Sequence, residues 1–221
     1  MDILAPLYRH RFDESELPEK NRIWRVLCSD FFSRYITDQD DVLDLACGFG
    51  EFINNIDARS KTGVDINPDS PEMLHESVRF IAARSDDMQD VADSSVDVVF
   101  TSNFLEHLET KVALLHTFAE VKRVLRPGGR FLIMGPNIRY VYDRYWDFLD
   151  HHLPLSHETL EEAFAVSGFE MVESIPRFLP YSTRSSLPTA SWLIRLYLRL
   201  PLAWKFLGKQ FFIVGRKPLV E

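Results

Sequence analysis

Apolar residues recur along this chain with two alternating periods. Short, nearly continuous runs have the length and β-branched content of buried strands: "DVLDLAC" (41–47), "KTGVDIN" (61–67), "VRFIAA" (78–83), "VDVVFTS" (96–102) and "RFLIMGP" (130–136). Between them the spacing turns helical. Residues 104–125 place apolar side chains at Leu108, Val112, Leu115, Phe118, Val121 and Val124, a repeat that "RPGG" (126–129) stops as a turn. An amphipathic helix is predicted around residues 20–36, and Ser156 caps a further helix, "HETLEEAFAVS", which Gly168 ends. Two more strands follow, "FEMVESIPRF" (169–178) and "QFFIVGRKP" (210–218). Alternation of this kind predicts an α/β fold of three layers, doubly wound, with a mostly parallel sheet covered on both faces.

Composition narrows the class. The chain has 221 residues, suited to one domain over 1–221. No apolar run reaches the roughly 18 residues that a spanning helix needs. The first twenty residues are acidic and polar, unlike a secretory signal, and the two cysteines, Cys28 and Cys47, make no metal or disulfide framework, so a cytoplasmic location is expected. The net charge of −8 hides an asymmetry: residues 177–217 hold eight Lys or Arg and no Asp or Glu, whereas residues 1–176 carry 17 basic and 32 acidic side chains. So acidic a body argues against a nucleic-acid partner.

Candidate chemistry starts at the turn after the first strand, "ACGFGEF". In an open parallel sheet, ligands sit beyond the carboxyl ends of the strands. Gly48 and Gly50 begin a G-x-G-x-x-G fingerprint, but Ile53 replaces its third glycine. Glu51, expected at a helix start, and Asp44, on the strand leading in, repel the phosphates such a turn would otherwise draw. This opposes a nucleotide-dependent oxidoreductase. Both acids suit a ligand with a cation there, such as the sulfonium and ammonium of S-adenosylmethionine. Asp65 closes the second strand, where a carboxylate accepts both ribose hydroxyls. Ile66 can pack on adenine, and "SDDM" (85–88) can meet its amino group.

"VLDLACGFGEF", "GVDINP", "VDVVFTSNFLEHL" and "RVLRPGGRFLI" resemble, in order, the motifs of class I S-adenosylmethionine-dependent methyltransferases, over roughly residues 40–178. The resemblance implies a seven-stranded sheet whose last strand is antiparallel and lies beside the sixth. It implies that Asp44, Ala46, Cys47, Gly48 and Gly50 hold the methionine part, Asp65 and Ile66 the nucleoside, Ser85, Asp86, Asp87 or Met88 the adenine edge, and Ser102 and Asn103 the floor near sulfur. Two positions depart from the family pattern. Ala46 replaces the first glycine of the turn, which fits only with ordinary backbone angles. Arg84-Ser85 replaces a Gly-Asp. Asp44 also reads as a tie for the loop backbone, and Cys47 as a small packing residue.

Methyl transfer needs alignment and sometimes a base. His107, in "NFLEHL", shares one helical face with Asn103 and Glu106 by its i, i+3, i+4 spacing, and reads either as a base or as a packed histidine. The segment 136–157 overhangs the donor as an acceptor-side loop rich in aromatics and in Asp and His, with His151 or His152 as the acceptor-side base. No metal is expected: Glu106, His107 and His152 offer ligands, but Asn103 stands where a second Glu would strengthen the set. Residues 1–38 read as an N-terminal helical lid in which Tyr8, Arg9 or Arg11 meets the methionine carboxylate, residues 39–135 as the cofactor-binding core, and 179–209 as a basic amphipathic insertion. Its part 185–209 suits packing on its own domain, a homodimer contact, or a membrane surface. The function these features support is methyl transfer to oxygen or nitrogen of a small molecule or a saccharide intermediate. The alternative is a module that binds S-adenosylmethionine without turnover, as a sensor or scaffold.

Overall fold

The computed structural model describes residues 17–181 and 189–219. Seven strands form one sheet: β1 Asp41–Leu45, β2 Ser60–Asp65, β3 Val78–Ala82, β4 Val96–Ser102, β5 Leu125–Pro136, β6 Glu170–Ile175 and β7 Gln210–Arg216, in the order β3-β2-β1-β4-β5-β7-β6. The first five are parallel neighbours, and β7 runs antiparallel between β5 and β6. The seven-stranded mixed sheet is the one the motifs implied.

Alternation along the strands builds two cores, because successive side chains point to opposite faces. Leu43, Val99, Phe131 and Ile213 face helices α2 (Lys111–Val124) and α3 (His157–Val166). Val42, Phe100, Leu132 and Phe212 face α1 (Leu17–Asp30), α4 (Ser191–Leu198) and α5 (Pro201–Leu207). Trp24 of α1 lies edge-on to Phe52 and Phe100, and Phe31 stacks on Phe178. Within the span read as a lid, residues 17–36 are thus a wall of the core. Tyr8, Arg9 and Arg11 lie outside the described residues.

Three local readings change. The long helix expected from 104 starts at Lys111, where Thr110, in an extended conformation, caps it by accepting the Ala113 amide at 3.1 Å. The preceding Leu105–His107 is a separate 3₁₀ turn, so Asn103, Glu106 and His107 do not share an α-helical face. "RPGG" is no free turn: Leu125 already pairs with Val96, and Gly128 bends the strand from within at φ +81°. No α-helix follows β1 either. Residues 48–56 form turns, with the Asn54 amide on the Gly50 carbonyl and the Ile56 amide on that of Phe52. Polar side chains explain this, since Asn55 bonds the Glu51 carbonyl and Asn54 bonds both the Met73 carbonyl and the His75 amide. Glu51 therefore stands in a turn, and the helix-dipole part of the phosphate argument does not apply.

Candidate active site

The turn leaving β1 lies between the carboxyl ends of β2 and β4, where the strand order reverses. Ala46, Gly48 and Gly50 all adopt left-handed angles, φ +59°, +52° and +76°. Ala46 thus lacks the ordinary angles expected of it. A Cβ on Gly50 would lie 2.6 Å from the side-chain ends Asn54 Nδ2 and Leu74 Cδ2, which would have to move, and its left-handed φ favours glycine there whatever the space. A Cβ on Gly48 would meet nothing within 4 Å. The chain there is shaped so that a ligand can lie against bare backbone.

Three carboxylates surround this turn. Asp44, buried on β1, accepts the Ile53 amide; burial, with the charges of Glu51 and Asp65, pushes its pKa well up. Burial also raises Glu51, opposed by the Glu51 and Phe49 amides and by Lys20. Asp65, buried at the end of β2, accepts the Gly48 amide on Oδ2 at 2.7 Å and the Asn67 amide on Oδ1 at 2.8 Å. Burial raises its pKa against those amides. Asp65, which the Ile66 amide also engages, is therefore, more than Asp44, the residue that ties the loop, and its two oxygens still keep room to accept from a hydroxyl. Beside it Ile66 is 53% exposed, an apolar side chain left open where a ring can cover it. Mutual repulsion among buried carboxylates favours a cation over an anion at this turn.

The adenine side separates the candidates. Ser85 is buried and shares a hydrogen bond with Thr117 of α2 at 2.8 Å, and Met88 is fully buried with its amide on Glu120. Both residues are buried against α2. Arg84 engages both oxygens of Asp86 and holds its carboxyl below the usual range, which leaves the exposed Asp87, whose carboxylate accepts only a long 3.4 Å bond from Gln89 Nε2 among the described contacts, as the more open acid of that group. Cys47 packs toward Gly63, burial pushes its thiol well up, and it serves as a space-filler. Ser102 accepts from Asn103 Nδ2 at 2.9 Å, and Asn103, at φ +50°, is exposed at the carboxyl end of β4.

The acceptor side gathers three groups. Residues 151–155 alternate inward and outward, so His151, Leu153 and Leu155 are buried whereas His152 is exposed. It is His151, then, that joins Glu106 and His107, one ligand atom of each lying within 4.8 Å of the others. His152, named with Glu106 and His107 as offering a ligand, lies outside this group; the period-two pattern of "HHLPL" carried that signal. His107 Nδ1 meets the Asp150 carbonyl at 3.0 Å and its carboxylate at 3.2 Å. Burial alone would lower the His107 pKa, but Asp150 and Glu106 outweigh it, and the net shift is upward. Asp150 is the partner the sequence reading left without a role. The amides of His152 and Leu153 both donate to the Glu106 carbonyl, fastening the acceptor-side loop to the 3₁₀ turn. Of the loop aromatics, Tyr145 is core, donating to the Leu153 carbonyl, whereas Tyr142 and Trp146 are exposed.

A sheet in this strand order, with an acid-lined glycine turn at its reversal point, defines the class I methyltransferase architecture. Residues 43–133 match the family model described as "Methyltransferase domain", and this part of the chain is similar to class I S-adenosylmethionine-dependent methyltransferases. Among relatives, a Mycolicibacterium smegmatis protein named "Probable S-adenosylmethionine-dependent methyltransferase" is 29% identical over 62% of this chain and 55% of its own. The thiol S-methyltransferase TMT1A of Homo sapiens is 34% identical over 42% of this chain and 41% of its own. The chain spans about half the length of these curated relatives. The crystal structure of a SAM-dependent methyltransferase from Archaeoglobus fulgidus shares the fold at TM-score 0.63 and 20% identity, covering 98% of this chain and 100% of that one.

Proposed function

We propose that the protein transfers a methyl group from S-adenosylmethionine to oxygen or nitrogen of a small molecule or a saccharide intermediate. The observation that carries this reading is the carboxylate-ringed turn with open space over Gly48 and an uncovered Ile66 beside Asp65. Asp44 and Glu51 provide the negative field for the cofactor's ammonium and sulfonium. Asp65 holds the Gly48 amide in place and accepts from the ribose. Ile66 and Asp87 meet the adenine, and Ser102 and Asn103 floor the methyl group. The reaction is an in-line displacement: an acceptor lone pair forms the bond to carbon, and the carbon–sulfur electron pair returns to sulfur, which becomes a neutral thioether. The acceptor approaches from the Glu106–His107–His151 side, against the exposed rings of Tyr142 and Trp146.

A lipid-linked saccharide is the acceptor class the surface favours. No described helix is long and apolar enough to cross a membrane. Trp204 and Leu198 anchor the α4–α5 hairpin in the core, while Trp192, Leu202 and Phe206 project from it beside the exposed Arg199 and Lys205. Apolar side chains flanked by cations suit the surface of an anionic bilayer. Residues 182–188 of this insertion lie outside the described residues.

The testing experiment compares S-adenosylhomocysteine with NAD by thermal shift, then supplies labelled methyl donor with cell extract and identifies the labelled product. Stabilisation by S-adenosylhomocysteine and label on an oxygen or nitrogen are expected. Stabilisation by NAD alone would overturn the cofactor assignment. Label on a thiol would move the acceptor atom to sulfur, the chemistry named for the human relative.

A further inference from the structure

We propose that Glu106, His107 and His151 bind a divalent transition-metal ion at the carboxyl ends of β4 and β5. The three ligand atoms lie within 4.8 Å of one another, and the two imidazoles meet edge-on with centroids 4.9 Å apart. That spacing is close enough for a small contraction to bring all three onto one ion.

Several features show a built cluster. Glu106 is 2% exposed, a carboxylate held inside the protein next to His107. A doubly charged ion offsets the cost of burying that carboxylate more fully than an imidazolium does. Asp150 takes His107 Nδ1 with both its carbonyl and its carboxylate, which fixes the ring and presents Nε2 as the ligand atom. A carboxylate behind an imidazole is the usual outer support of a metal-binding histidine. His151 is held in turn by Phe148, stacked at 4.8 Å, and by Tyr145, at 4.8 Å on its edge. The two amides that close on the Glu106 carbonyl lock the ligand-bearing segments together.

Two nitrogens and one carboxylate oxygen select a first-row ion such as Zn²⁺, Co²⁺ or Mn²⁺ over Mg²⁺ or Ca²⁺, which prefer oxygen alone. Three protein ligands leave positions open for the acceptor. This role rests on the methyl-transfer reading. An acceptor hydroxyl bound there loses its proton to water more readily, and the resulting oxygen lone pair attacks the methyl carbon as the carbon–sulfur bond breaks toward sulfur.

The test uses the full chain stripped of metal, titrated with Co²⁺, with visible absorption and elemental analysis after dialysis, and with S-adenosylhomocysteine binding measured on the same samples. A single retained equivalent with ligand-field bands is expected. His151→Ala and Glu106→Gln are expected to abolish retention, Asp150→Asn to weaken it by about 10–100-fold, and His152→Ala to leave it unchanged. Should a variant fail to fold, the chelator-sensitive melting temperature of the unsubstituted protein decides the question instead. Protein that binds S-adenosylhomocysteine but retains no Co²⁺ overturns the metal site and leaves the methyl-transfer reading standing. Retained Co²⁺ with no S-adenosylhomocysteine binding supports the site and overturns that reading. Loss of Co²⁺ in His152→Ala with retention in His151→Ala refutes the ligand assignment.

Discussion

Ala46→Gly isolates the strain in the cofactor turn. Ala46 sits at φ +59°, where its Cβ crowds the following carbonyl. For an L-residue that conformation costs about 1–2 kcal/mol. Glycine removes the clash but adds unfolded-chain entropy, which takes back about 0.4–1 kcal/mol. The balance is a stabilisation near 1 kcal/mol, or about 2–4 °C in Tm for a chain of this size. The neighbouring Cys47 amide donates to the Val64 carbonyl, so the turn is held from the sheet and should keep its shape. Urea unfolding of both proteins, read by circular dichroism, measures the difference. A midpoint that falls, with unchanged slope, would refute the claim that Ala46 is strained.

Asp65→Ala strips the acceptor from two loop amides and from the ribose, so S-adenosylhomocysteine affinity should fall by about 1.5–3 kcal/mol in calorimetry; unchanged affinity would remove its cofactor role. The pKa values of Asp44, Glu51, Asp65, Glu106 and His107 are all raised in the folded protein. Groups raised in this way stabilise fully below their unfolded values and lose that contribution as pH rises through their folded ones. Asp41, Asp86 and Glu120, held low by arginines, act oppositely and set the acid limit. Ligand-free protein should therefore melt higher at mildly acidic pH, about 5.5, than at about 7.5; a scan with the opposite slope would contradict the buried-acid description. Phe206→Asp, on the exposed side of the hairpin, should abolish flotation with anionic liposomes while leaving S-adenosylhomocysteine binding intact, and flotation that persists would exclude the hairpin as the contact.

The strands were legible because burial on both faces forces near-continuous apolar runs; β4 occupies the residues its run predicted, Val96–Ser102. The crossovers were less so. Asparagines 54 and 55 use their side chains on nearby backbone, and no hydrophobic period reports that competition. The start of α2 depended on one capping threonine inside a longer apolar repeat. At the site, the glycine turn and Asp65 stood out by residue type. Ser85 did not, since its burial depends on Thr117, 32 residues away in the sequence. The grip of Asp150 on His107 joins two loops 43 residues apart and is likewise a product of the assembled sheet.

The strand order has a consequence for synthesis. Among the described strands β6 pairs only with β7, which follows it by more than thirty residues. While the chain emerges from a ribosome, β1 to β5 can assemble on their own, but β6 must wait with Met171 and Val172 on an unclosed margin until Gln210–Arg216 arrives and zips between it and β5. An interruption of translation between those two strands would strand a nearly finished sheet with its most adhesive border showing.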